Sequence, residues 1–163
     1  MATLNAATKF EMSGQFVGSG AFNNPLVQMS MVREQLWNTG TGDNQANQFW
    51  QKTASLASTS INFDLDAGSL TDDFGTALVF TTIKAIYIGN LSSTAADELI
   101  ISGDFYTTVV LGGTAPTEQI DPGGVVYRTN PIDEWTIVAT SADVITITST
   151  NTVNYEIVLI GTV

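Results

Sequence analysis

The sequence predicts an all-β protein, an antiparallel β-sandwich of at least about eight strands with little helix. Three observations carry this. Apolar and small polar residues take turns with a period of two, as in ITIT at 145–148 and TSINFDLD at 59–66, the pattern of a strand with one buried face. Turn-forming residues interrupt that alternation at short intervals. Only 13% of the residues are charged, about half the usual share, and Thr, Ser, Asn and Gly take up the difference, which suits uncharged polar sheet faces.

In chain order, candidate strands occupy 9–17, 26–33 and 46–53, separated by GSGAFNNP (18–25) and NTGTGDN (38–44). SMVREQLW (30–37) has an alternative reading as two helical turns. Ile61, Phe63 and Leu65 share one face of the next strand, which ends in DAGS (66–69). TDDFGTALVF (71–80) reads as a second short helix, with Thr71 as N-cap and Asp72 and Asp73 in its first turn. In TIKAIYIGNL (82–91), Ile83, Ala85 and Tyr87 face one way and Ile86 and Ile88 the other. Both faces are apolar, which predicts a central strand covered on both sides. Further strands are expected over 98–103, 106–111, 124–129, 135–140, 145–147 and 154–161, with turns at GNLSST (89–94), GGTAP (112–116) and DPGG (121–124). Pro122 before Gly123 is a type II turn signal, because Pro presets φ and Gly accepts a positive one. No linker divides the chain. It reads as one domain over 1–163, with residues 1–58 as an irregular N-terminal arm or additional strands and 59–163 as the regular sheet portion.

Composition narrows the function classes. The formal net charge is −11. The five cations Lys9, Arg33, Lys52, Lys84 and Arg128 are scattered, whereas nucleic-acid binding needs them clustered on phosphates. An anionic membrane surface is disfavoured for the same reason, and the apolar stretches are far shorter than a membrane span. MATLNAATKFEM lacks the basic-then-apolar layout of a secretory signal, so the expectation is a protein that stays in the cell that made it until released. There is no Cys and no His, which removes disulfides, thiolate and imidazole metal sites and the Ser–His and Cys–His nucleophile pairs. No P-loop or G-x-G-x-x-G fingerprint occurs, and GSG at 18–20 reads as a turn.

Few chemical candidates remain. Asp64, Asp66 and Gly68 echo the start of an oxygen-ligand calcium loop, without its third short-spaced acid or terminal Glu. Their alternation with Phe63 and Leu65 also fits a solvated strand face. Asp97, Glu98, Asp104, Asp133 and Glu134 could supply a carboxylate pair, but acids beside turns are ordinary. Trp37, Trp50 and Trp135 could form a sugar-stacking platform or pack in a core or interface. Asn90-Leu91-Ser92 matches a glycosylation acceptor and reads more simply as a turn. The expectation is a protein with no catalytic, cofactor-binding or metal-binding residues.

Three stretches carry a resemblance: DFGTALVFTTIKAIYIGNLSSTAADELIISG (73–103), IDPGGVVYRTNP (120–131) and WTIVATSADVITITSTNTVNYEIVLIGTV (135–163). In this order they resemble a group of small virion structural proteins of tailed bacteriophages. The resemblance covers about residues 60–163 and consists of turn and strand signatures. It implies a jelly-roll-like sandwich that binds the major capsid protein as a cement or decoration subunit, a homotrimer, and a place in the virion after assembly in the host cytoplasm. Readings from other classes are a tail-associated or carbohydrate-binding adhesin, or another tail or neck subunit.

The first 60 residues lie outside the resemblance. Phe10, Met12, Phe16, Phe22, Met29, Met31 and Trp37 give this region adaptable and aromatic groups of the kind enriched at interface cores. Asn23-Asn24-Pro25 reads as a turn that lets a segment leave the sandwich. The expectation is that residues 1–50 carry much of the contact with the shell; the alternative is that they fill one end of the same core.

Overall fold

The period-two segments become strands, as a computed structural model describing residues 4–17 and 26–163 shows. In order they are β1 (Ala6–Val17), β2 (Leu26–Thr39), β3 (Gln45–Ala46), β4 (Gln48–Ala57), β5 (Ser60–Asp64), β6 (Leu70–Thr71), β7 (Ala77–Leu78), β8 (Thr82–Asn90), β9 (Leu99–Ser102), β10 (Glu118–Ile120), β11 (Val125–Thr129), β12 (Trp135–Thr136), β13 (Val144–Ser149) and β14 (Thr152–Thr162). The fold is all-β, and among the described residues a single π-helical turn, Phe105–Val110, stands between β9 and β10. Every pairing of these strands is antiparallel except β2 with β3.

Two larger sheets contribute to one core. The first runs β11-β8-β14-β4, with β12 also on β8, and the second runs β10-β9-β13-β5. Alternate residues of the central strands point into a shared cluster: Ile86 and Ile88 of β8, Tyr155, Ile157 and Leu159 of β14, Leu99 and Ile101 of β9, Ile145 and Ile147 of β13. Each such side chain taken out of water contributes about 1.5–3 kcal/mol before entropy is counted.

The strand β8 is central and buried on both faces, as its two apolar faces predict. Its facing pattern is not a strict alternation. Ile160 of β14 pairs with Ala85 and Gly161 with Ile83, so Lys84 is skipped. This bulge places two residues of β8 opposite one interval of β14 and reverses the facing of everything before it. Ile83 therefore joins Ile86 and Ile88 in the core cluster, although simple alternation puts it with Ala85. The bulge also keeps Lys84 out of the core. Its ammonium donates to the Gly42 carbonyl at 2.6 Å and pairs with Glu134 at 3.1 Å, which ties the 40–44 loop to the sheet.

Other expectations need correction. Residues 30–37 are strand, because β2 pairs with β1 in unbroken register from Ala6↔Trp37 to Val17↔Leu26, and two isolated helical turns cannot pay for their own nucleation. Residues 71–80 form no helix. Asp72 Oδ1 instead accepts the amides of Phe74 (2.9 Å) and Thr76 (2.7 Å), and β6 and β7 pair around that turn. The strand expected at 106–111 is the π-helical turn. Gly103 has φ +98° with no room for a Cβ against Val144, and Asp104 Oδ1 accepts the amides of Phe105, Asp143 and Val144. Of 135–140, only Trp135–Thr136 is strand, followed by a tight turn bridged at Val138 and Ala142. At DPGG, Gly123 has φ +72° and the Gly124 amide donates to Asp121 O at 2.8 Å, as the turn signal predicts. Strands make up most of the described part of residues 1–58, and β4 pairs with β14 inside the larger sheet.

The β8–β14 contact tolerates no side chain at position 161. A Cβ there would strike the Thr82 carbonyl oxygen and lie 2.9 Å from Phe80 Cδ1. Gly161→Ala is expected to lower stability by about 1–3 kcal/mol in urea unfolding followed by tryptophan fluorescence. An unchanged midpoint would contradict the packing described.

Candidate functional site

The strands β1 and β2 form a long two-stranded ribbon whose only other strand partner, among the described residues, is the two-residue β3. Its base is anchored. Trp37 is 1% exposed and packs with Ala46, Ala85 and Ile160 on the side of β8 away from the main core. Its Nε1 donates to Thr8 Oγ1 at 3.3 Å, and Thr39 Oγ1 donates to the Leu4 carbonyl at 2.8 Å.

Above the base the ribbon has two different faces. Residues directly opposite in an antiparallel pair share a face. The pairs Phe10↔Arg33, Met12↔Met31 and Gly14↔Met29 thus define one face, and Lys9↔Glu34, Glu11↔Val32 and Ser13↔Ser30 the other. On the first, Phe10 is 43% exposed, Met12 52%, Met31 46% and Met29 66%. The second carries the Lys9–Glu11 ion pair (2.8 Å), with Val32 and Leu36 exposed.

Four of the seven residues singled out from sequence therefore sit together on one exposed face. Phe16 continues the register two pairs further along, opposite Val27. Trp37 is the departure: it is buried within its own chain, because it lies at the ribbon's base where the sheet covers it. Phe22 and the Asn23-Asn24-Pro25 turn fall outside the described residues.

Charge separates the ribbon from the body. Lys9 and Arg33 balance Glu11 and Glu34, so the whole net charge of −11 falls on the remainder of the chain. Two depressions border the ribbon. A groove of about 430 Å³ lies between its apolar face and β11, lined by Phe10, Arg33, Tyr127, Thr129 and Pro131, with Glu34. A cleft of about 520 Å³ is lined by Leu4, Phe49, Trp50, Asp72, Asp73 and Phe74 among others.

The remaining sequence candidates resolve into structural roles. Trp50 is 5% exposed, its Nε1 donating to Thr71 O at 3.1 Å, and Trp135 is half-buried against the core. No tryptophan offers an open ring for a sugar. Asn90 is buried, its amide donating to the carbonyls of Asp97 (2.6 Å) and Ile120 (3.1 Å), so it holds the turn and is closed to modification. Asp97 accepts from Ser92 Oγ at 2.7 Å, Asp104 caps the π-helical turn, and Glu134 pairs with Lys84. Glu98 and Asp133 are exposed.

Three groupings emerge only from the fold, and of their members the sequence offered only Asp64 and Asp66 as candidates. At one end of the larger sheets, Tyr106 donates to Glu118, which Arg128 grips through both oxygens (3.0 Å each from Nη2). Burial, then Glu118, pushes the Tyr106 hydroxyl well above its ordinary value. Tyr87 donates to Glu156 at 2.5 Å and is pushed up to about 12 by burial first and Glu156 second; Gly89 leaves the space in which they meet. Elsewhere Asp143, from the turn before β13, joins Asp64 and Asp66, with one carboxylate oxygen of each within 4.8 Å of the others. Asp64 Oδ1 accepts the Asp66 and Ala67 amides, and Asp143 Oδ2 accepts that of Thr140.

No family model, no curated protein and no solved structure matches the chain. No helix among the described residues is long and apolar enough to cross a membrane.

The acidic trio generates a pH dependence. Desolvation first, then Asp64 and Asp143, raise the Asp66 carboxyl above its ordinary 3.8. The folded chain then binds this proton more tightly than the unfolded chain, so the unfavourable contribution present at neutral pH fades as pH falls through the raised value. Asp66→Asn is expected to raise the melting temperature at about pH 7 and to leave it nearly unchanged at about pH 3. Calorimetry at both pH values checks this, and a lower melting temperature at neutral pH would count against it.

Proposed function

We propose that the chain is a structural subunit of a bacteriophage virion, a capsid cement or decoration protein that stabilises the shell by binding the major capsid protein as a homotrimer. The observation that supports it most is the ribbon: a regular two-stranded element, anchored by Trp37 and carrying Phe10, Met12, Met29 and Met31 exposed on one face. A free two-stranded ribbon is marginal in water, and an apolar face of Met and aromatic groups suits an interface core. The resemblance over residues 60–163 to phage virion proteins supports the setting, and a core shared by two sheets agrees with a jelly-roll-like sandwich. In this reading the ribbon is the contact arm and the body its rigid base. The carbohydrate-binding adhesin reading called for exposed tryptophan rings, and Trp37, Trp50 and Trp135 are buried or half-buried.

Shortening the ribbon tests this. Residues 9–34 are replaced by an Asn-Gly turn joining Thr8 to Gln35, a hairpin connection that matches strand twist and keeps Trp37 in place. The variant is expected to melt as a folded β protein and to lose binding to particles stripped of the wild-type chain, measured by co-sedimentation. The milder double variant Met12→Thr, Met31→Thr is expected to weaken binding by at least about tenfold. Folded variants that bind as the wild type does would refute the reading.

A further inference from the structure

The strand pair β6–β7 presents a projection that matches the groove beside the ribbon. Phe74 is 93% exposed, the most exposed of the large hydrophobic residues described. It stands on a rigid turn: besides the two amides held by Asp72 Oδ1, the Asp72 amide donates to Thr76 O and the Gly75 amide to Asp72 O, each at 3.0 Å. Gly75 has φ +81°, which an L side chain would strain. The backbone that carries the ring is thus fixed, so only the side-chain torsions need ordering when it is bound. Asp72 and Asp73 precede it, so the projection is an aromatic ring beside two acids.

The groove is its complement. Phe10 and Tyr127 supply apolar surface, Thr129 and Pro131 continue it, and Arg33 supplies a cation. Arg33 is exposed, has no ion-pair partner among the described residues, and is the only charged residue on the ribbon face defined by Met12 and Met31. Glu34 also borders the groove but stands opposite Lys9 on the other face. The chain's own Phe74 does not fill this groove, since it is almost wholly exposed.

We infer that a second copy of this chain covers the apolar ribbon face: Phe74 of one copy enters the groove between β1–β2 and β11 of the next, and Asp73 meets Arg33. Charge complementarity selects this occupant, because a body carrying −11 meets the one face of the ribbon whose sole charge is positive. The contact is heterologous, with projection and groove on different parts of each copy. It closes into a ring if the rotation permits, as the proposed trimer requires. The inference rests on the reading of the ribbon as a contact arm and names the partner of its apolar face.

The test is sedimentation velocity of the full chain over a concentration series, without particles. The wild type is expected to associate. Phe74→Ala, Arg33→Asp and Asp73→Arg are each expected to weaken association by at least about tenfold. These sites are exposed, so circular dichroism should be unchanged. Combining Arg33→Asp with Asp73→Arg should restore association, which a general loss of solubility or packing would not do. A wild type that stays monomeric at the highest concentration overturns the inference, as does association indifferent to the single changes or not recovered by the double one. Particle binding separates the two readings. If copies do not associate but shortening the ribbon still abolishes particle binding, the shell covers this face and the virion reading survives. If copies associate as described and no chain binds particles, the virion reading fails and the inference stands.

Discussion

The antiparallel pairing of β8 with β14 is the constraint on which the rest of the structure depends. These strands lie at the centre of the larger sheet, and both send alternate side chains into the core. The bulge at Lys84 lets β8 present Ile83, Ile86 and Ile88 to that core while diverting a cation that would otherwise be buried unpaired. Stranding such a charge costs several kcal/mol. The diverted ammonium is instead held by Glu134 and the Gly42 carbonyl. One irregularity in one strand thus completes the core on one side and fixes a loop on the other.

Beside that loop, Trp37, Ala46, Ala85 and Ile160 form a second small apolar cluster on the opposite side of the sheet. The ribbon is rooted there and then leaves the body. The molecule divides its work accordingly. Apart from Trp37 at the ribbon's base, the body holds the large buried side chains and all of the net charge, and the ribbon holds an exposed apolar face and no net charge. Net negative charge keeps bodies apart and soluble, so an arm whose charges cancel is a physically reasonable place for contact. Several acidic groups of the body hold turns, as Asp72, Asp97 and Asp104 do. In those three places the role is architectural, which suits the proposed virion subunit.

The all-β class, the central covered strand, the DPGG turn and the apolar character of the N-terminal region were legible in the sequence, because each depends on neighbours within a few positions. Period two dictates strand, Pro-Gly dictates a turn, and two apolar faces dictate a covered strand. The grouping of Phe10, Met12, Met29 and Met31 was legible only as composition. It needed the β1–β2 register to become a surface, since a shift of one residue would move β2's methionines to the other face. The same register, with the base cluster, took Trp37 from the expected interface into the interior.

By itself, then, the sequence determined where strands and turns form and how acidic the chain is. Tertiary structure decided the rest wherever distant segments had to meet. It made strand of 30–37 by pairing it with β1, and a π-helical turn of 105–110 by giving Asp104 the amides of Asp143 and Val144. It also brought Asp143 to Asp64 and Asp66 across most of the second half of the chain. Local pattern sets what a segment prefers at a cost of tenths of a kcal/mol per residue. Burial, strand pairing and the satisfaction of buried polar groups are each worth about 1 kcal/mol or more, so where the two disagree the distant partners prevail.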